Sequence, residues 1–209
     1  MASRAVLFDF NGTLSDDEPI VCAIFQELFA ERGRPLSTET YFSELAGTSD
    51  PEIVRAWLGA EDPALVAEKV ERYRARVEDG STVYEPARGA VRAAAAEAAV
   101  AVVSGATRAE IAPALTAAGL DEVISATVTV DDVSRGKPDP EGYLIALELL
   151  SAGADGSIAF EDSEPGIEAA LAAGLQCVAV LGTLPRERLA RADGIVERLD
   201  AEAGREALA

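Results

Sequence analysis

Four polar clusters in this chain carry residues able to do chemistry, and each follows a short apolar run. Asp9 comes directly after Ala5-Val6-Leu7-Phe8 and is followed by a Gly12-Thr13 turn. Ser104-Gly105 follows Val100–Val103. Lys137 sits in the proline-stiffened stretch Gly136-Lys137-Pro138-Asp139-Pro140, and Glu161-Asp162 follows Ile158–Phe160. Singly, each has an ordinary explanation: a turn, a solvated lysine, or acids that suit the start of a helix. Together, on one edge of one sheet, they supply carboxylates for a hard cation, a hydroxyl and a lysine. That set suits phosphate-ester chemistry, in which metal and lysine offset charge on the phosphoryl oxygens.

The elements needed to gather these residues are legible in the pattern. Apolar runs of this length, bounded by turn residues, read as strands buried in a parallel sheet, whose carboxyl ends are where α/β proteins bind ligands. Between Asp17 and about Asp79 there is no strand signal. Instead Ile20, Ile24, Phe25, Leu28 and Phe29 recur at helical spacing up to Gly33. Pro35 and Ser37 open a helical stretch ending near Gly47, Ser49-Asp50-Pro51 gives an N-cap with proline in the first turn, and a fourth helix spans 63–77. Thereafter helices (87–97, 108–118, 140–151, 164–173) alternate with strands (100–103, 123–130, 158–160, 177–181), ending in a weak strand near Ile195 and a last helix. The expectation is an α/β fold: a Rossmann-like parallel sheet core, 1–15 and 82–209, with an inserted helical cap, 16–81.

Composition removes several function classes. The 209 residues carry a net charge of −19, which argues against nucleic acid or an anionic membrane surface as partner. The chain has no histidine, so histidine triads, metal ligands and acid–base groups are excluded. Lys69 and Lys137 are its only lysines. Cys22 and Cys177 fall inside a predicted helix and strand and read as buried free thiols, which suits a reducing, cytoplasmic setting. No apolar run approaches a membrane span and no signal-peptide pattern is present.

The four motifs, DFNGTL at 9–14, Ser104 in VVSGAT, Lys137 in GKPDP and EDSEPGIEAALAAG at 161–174, resemble in order those of the haloacid dehalogenase superfamily. The branch is the one with a helical cap inserted after the first motif, where β-phosphoglucomutases and phosphoglycolate-type phosphatases belong. The resemblance spans roughly residues 4–181. It implies a Mg²⁺-dependent phosphohydrolase of a small phosphorylated metabolite, with Asp9 as the nucleophile that forms an aspartyl-phosphate. Metal ligands would be Asp9, the backbone carbonyl of Asn11 and Asp162, with Glu161 acting through water. Ser104 and Lys137 would hold phosphoryl oxygens, with Thr13 and Gly105 beside them. Strand 1 would lie next to the strand ending at Phe160.

One position departs from the pattern. Where phosphatases and mutases of the family carry a second aspartate that protonates the leaving oxygen, this chain has Asn11, whose amide exchanges no proton near neutral pH. The resemblance therefore leaves room for slow ester hydrolysis, for an acyl-phosphate substrate, or for a non-catalytic phosphometabolite-binding protein. A phosphonatase-like route would need a cap lysine, and Lys69 lies far in sequence from the Gly47-Thr48-Ser49 specificity loop. Asp16 and Asp17 are candidate replacement acids, though capping the first cap helix is their more ordinary use. Thr48 and Arg55 on the cap, and Arg108 after Ser104, are candidates for substrate contact, Arg55 and Arg108 to anionic groups.

Overall fold

The computed structural model describes residues 4–77 and 79–206. Six parallel strands form one sheet in the order β3-β2-β1-β4-β5-β6. They are β1 (Ala5–Phe8), β2 (Ala99–Val103), β3 (Ala126–Val128), β4 (Ile158–Glu161), β5 (Gln176–Val180) and β6 (Gly194–Val196). The central strand β1 is buried throughout and is registered on both sides, Val6 opposite Val100 of β2 and Ile158 of β4. Its alternating side chains feed two cores. Val6 and Phe8 pack with Val102, Phe160 and residues of α5 (Glu85–Ala95) and α6 (Arg108–Ala117). Ala5 and Leu7 pack with Val103, Ala159 and residues of α7 (Glu141–Leu149) and α8 (Glu164–Ala172) on the other face. A doubly covered parallel sheet accounts for the apolar runs being continuous rather than alternating with polar residues.

Between β1 and α5 the chain is helical: α1 (Glu18–Glu31), a single turn α2 (Thr38–Thr40) continuing as a π-helical turn (Tyr41–Leu45), α3 (Asp50–Leu58) and α4 (Pro63–Val77). This insert has its own core of Ile24, Phe25, Phe29, Tyr41, Val54, Leu65 and Tyr73. Ser49 forms a full capping box with Glu52, with Pro51 in the first turn. The stretch expected to be one helix after Ser37 is thus two short pieces. The expected strand 123–130 contracts to Ala126–Val128, because the Val123 and Ile124 N–H groups turn back onto the Leu120 carbonyl. A short 3₁₀ turn (Val130–Asp132) follows it, and the chain closes with α9 (Ala201–Glu206). Both cysteines are buried and free. Among the described residues no helix is long and apolar enough to cross a membrane.

Candidate active site

Asp9 leaves β1 at the carboxyl edge of the sheet, and its N–H donates to the Phe160 carbonyl at 3.0 Å. The β1–β4 ladder thereby runs one residue past the strand and sets Asp9 beside Glu161 and Asp162. These three buried residues each offer a carboxylate oxygen, all within 4.8 Å of one another. Lys137 crosses the strand ends above them. Its Nζ lies 2.6 Å from Asp9 Oδ1 and 2.6 Å from Glu161 Oε1, and donates to the Val103 carbonyl at 3.0 Å. Tyr143, on α7, donates its hydroxyl to the same Glu161 oxygen at 2.5 Å.

Three acids against one lysine leave an excess of negative charge out of water. Burial pushes the Asp9 carboxyl up, opposed by Lys137 and reinforced by Glu161. It pushes Asp162 well up too, with Asp9, Glu18 and Glu161 adding repulsion. Burial alone would lower the Lys137 pKa, but Asp9 and Glu161 outweigh it and hold the ammonium above its ordinary range. A cluster of hard oxygen donors with uncompensated charge fits Mg²⁺ rather than a soft metal. Lys137 and Tyr143 engage Asp9 Oδ1 and Glu161 Oε1, and Asp9, Glu161 and Asp162 each still bring one carboxylate oxygen close enough to the others to share such an ion. The loop beneath requires glycine: Gly12 has φ +73°, and a Cβ there would fall 1.9 Å from Asp162 Oδ2.

Asn11 is held from two sides. Its Nδ2 donates to Asp17 Oδ2 at 3.0 Å, and its Oδ1 accepts from Ser104 Oγ at 3.4 Å. Asp17 is fully buried and also accepts from the Tyr73 hydroxyl of α4 and from the Gly12 N–H. Burial raises its carboxyl to about 6, against the pull of those hydrogen bonds. Asp17 occupies the N-cap position of α1, but its side chain makes no capping bond. Asp16 is exposed.

The cavity over Asp9 is closed by the insert. Asn11, Gly105, Lys137, Asp162 and Ser163 line it from the sheet, and Glu18, Tyr41, Gly47, Thr48, Asp50 and Lys69 line it from the insert. Gly47 rests so closely on the sheet side that a Cβ there would lie 2.4 Å from the Ser163 Cβ. Arg188 reaches across as well, donating to the Phe42 carbonyl at 2.9 Å. Lys69 is 1% exposed, with Nζ 2.8 Å from Asp50 and 2.6 Å from Glu110 of α6. Burial acts to lower its pKa, but the two carboxylates prevail and keep it charged.

Asp9, Asn11, Gly105, Thr48, Lys137 and Asp162 therefore come together around the cavity, with Ser104 and Glu161 directly behind Asn11 and Lys137. Three other expected contacts do not reach it. Arg108 is exposed and paired with Asp132 at 2.6 Å, because the 3₁₀ turn after β3 presents that carboxylate to it. Arg55 lies on the solvent side of α3, whose buried side is Ile53 and Val54. Thr13 is fully buried beneath the loop, and its Oγ1 has no partner among the described residues. Lys69, remote in sequence from Gly47-Thr48, shares their cavity because α4 packs beside α1 and α3. Glu18, Tyr41, Asp50 and Tyr143 went unnoticed in the sequence. The acidic run Asp16-Asp17-Glu18 after the first motif was the one available signal.

The sequence model of the haloacid dehalogenase-like hydrolases matches residues 6–180. The chain belongs to that family. A validoxylamine A 7'-phosphate phosphatase of Streptomyces hygroscopicus subsp. limoneus is 30% identical over 213 residues, covering 94% of each chain. Among solved structures, CbbY from Rhodobacter sphaeroides in complex with phosphate superposes with a TM-score of 0.84 at 26% identity, covering 98% of this chain and 99% of that one. An aspartate-to-asparagine variant of CbbY, in complex with xylulose-1,5-bisphosphate, gives 0.84 at 27% identity over 96% of each. The family likeness thus extends over the helical insert as well as the sheet.

Proposed function

We propose that this chain is a phosphohydrolase of small phosphorylated metabolites in which Asp9 is the nucleophile and residues 16–81 act as a closing cap. The observation that carries the reading is the convergence on Asp9 of Lys137, Glu161 and Asp162 under a lid of helices. An Asp9 carboxylate oxygen attacks phosphorus, the bond from phosphorus to the leaving oxygen breaks, and the phosphoryl group passes to Asp9. Water then attacks that phosphorus, the bond from phosphorus to the Asp9 oxygen breaks, and phosphate leaves with the Asp9 carboxylate restored, one proton of water going to phosphate and the other to the departed oxygen. Lys137 stays charged throughout and faces the phosphoryl oxygens, while Tyr143 fixes Glu161. Mg²⁺, held by Asp9, Asp162 and the Asn11 carbonyl with Glu161 behind, would screen the repulsion between carboxylate and phosphoryl group. The cap excludes water during the first step.

The leaving oxygen has no proton donor at position 11. The Asn11 amide is already engaged by Asp17 and Ser104, so esters with poor leaving groups turn over slowly and acyl phosphates faster. That same engagement supports a second reading, a protein that binds a phosphometabolite without hydrolysing it. A phosphonatase-type Schiff base needs a neutral amine, and Lys69 is pinned as an ammonium between two carboxylates. Release of phosphate from acetyl phosphate and p-nitrophenyl phosphate, with and without Mg²⁺, tests the proposal. Turnover abolished by Asp9→Ala supports it, and turnover surviving that change overturns the covalent route.

A further inference from the structure

The insert side of the cavity, where a leaving group would lie, offers acceptors but no free cation. Among the described residues lining it the only cations are Lys137, at the Asp9 end, and Lys69. Lys69 spends its single charge on two carboxylates, Asp50 at 2.8 Å and Glu110 at 2.6 Å. Glu18 adds another buried carboxyl, whose hydrogen-bond partner is the Tyr41 hydroxyl at 2.9 Å. Arg55 and Arg108, the cations best placed in sequence to meet a second anion, face solvent. Arg198 lines the adjoining cavity that Glu18 shares, but its side chain is 70% exposed and lies 3.4 Å from Asp200. A second phosphate or a carboxylate on the substrate would meet net negative charge there with nothing to pair it. Hydroxyl and ammonium groups would meet acceptors: the Glu18 and Asp50 carboxyls and the Thr48 hydroxyl, which itself donates to Leu45.

We propose that the substrate is a phosphomonoester whose leaving group is a neutral or cationic polyhydroxy compound, a sugar, polyol or aminopolyol, and that bisphosphates and phosphorylated carboxylic acids are rejected by charge. This rests on the phosphohydrolase reading and sets the chain apart from CbbY, whose variant was crystallised with a bisphosphate.

The test compares kcat/KM, with Mg²⁺, for a hexitol phosphate and glucosamine phosphate against phosphoglycolate and a hexose bisphosphate, with p-nitrophenyl phosphate as control. The first pair should lead by on the order of 100-fold, since setting like charges against each other without a partner strongly suppresses the wrong ligand. Asp50→Asn removes one of the two carboxylates set against the single charge of Lys69, and should narrow that gap by about tenfold. Phosphoglycolate or the bisphosphate turning over as well as the polyol esters overturns the proposal and leaves the phosphohydrolase reading intact. If no substrate, control included, releases phosphate, the phosphohydrolase reading has failed. The proposal then stands or falls on calorimetric binding of the same four esters to Asp9→Ala, in the same expected order.

Discussion

Restoring an acid at position 11 is the perturbation with the most to reveal. In Asn11→Asp a carboxyl oxygen replaces the amide nitrogen that lies 3.0 Å from Asp17 Oδ2. Two carboxylates at such a separation repel by on the order of 5 kcal/mol at an effective dielectric near 20. The pair must therefore share one proton, as closely spaced carboxyls do. Asp17 is already raised to about 6 by burial, so the shared proton persists at neutral pH and is available to the leaving oxygen. General acid–base catalysis is typically worth about 10²–10⁴-fold. That gain should appear in initial rates for sugar phosphates and be nearly absent for acetyl phosphate, whose leaving group needs little protonation. Stability gives an independent check. The pair's folded pKa stands above the unfolded value, so its contribution is full at low pH and is lost as pH rises through the folded value. The variant should therefore fall further below the parent with increasing pH, and adding Asp17→Asn should recover the loss by restoring one amide and one acid. If both substrate classes stay slow in Asn11→Asp with its fold intact, a missing proton donor is not what limits this site.

Three other outcomes follow from the same geometry. Mg²⁺ at a hundredfold above its dissociation constant should stabilise the protein by about 2.7 kcal/mol in a thermal melt, and Asp162→Asn should remove most of that gain; no shift in either protein would reduce the acids to structural roles. Glu18 is raised to about 8 by burial, then by the charge of Asp17, with the Tyr41 hydrogen bond opposing. Folded Glu18 thus holds its proton where the unfolded chain, near 4.3, has lost it, so this residue's contribution to stability declines from there up to about 8. Glu18→Gln removes that decline, and its melting temperature relative to the parent should climb steadily with pH over this range. Gly47→Ala forces a Cβ to within 2.4 Å of the Ser163 Cβ, which should hold the insert away from the sheet and lower kcat/KM by on the order of 10²-fold with little change in the circular dichroism of the fold.

What the sequence disclosed divides along a physical line. Strand ends were legible because a buried parallel strand must be apolar until it reaches the edge, so Asp9, Ser104 and Glu161-Asp162 announced themselves by where the apolar runs stopped. The helix Pro63–Val77 was legible from its spacing, with Pro63 at its first position. Side-chain direction on the insert was not. Arg55 and Arg108 read as anion contacts from their proximity to the loop and to Ser104, yet helix rotation in one case and Asp132 in the other aim them elsewhere. Lys69 stands far along the chain from Gly47-Thr48, a distance that says nothing about two helices packed side by side. Tyr143 lies on an apolar helix face, and its hydroxyl declares a role only when Glu161 is opposite it.

The Tyr73–Asp17–Asn11 chain of hydrogen bonds has a wider meaning. Tyr73 belongs to the insert and Asn11 to the loop after β1, with Asp17 joining them at the point where the chain passes from one to the other. Moving the helices away from the sheet would take the Tyr73 donor from a buried carboxylate that Asn11 and Gly12 also serve, and Asp17 would answer by taking up a proton or leaning harder on the amide. On the proposed reading, in which the insert closes over Asp9, the position of the insert would be felt at Asn11 without any substrate as messenger. A phenylalanine at position 73 would silence that signal, making the amide indifferent to whether the door above it stands open or shut.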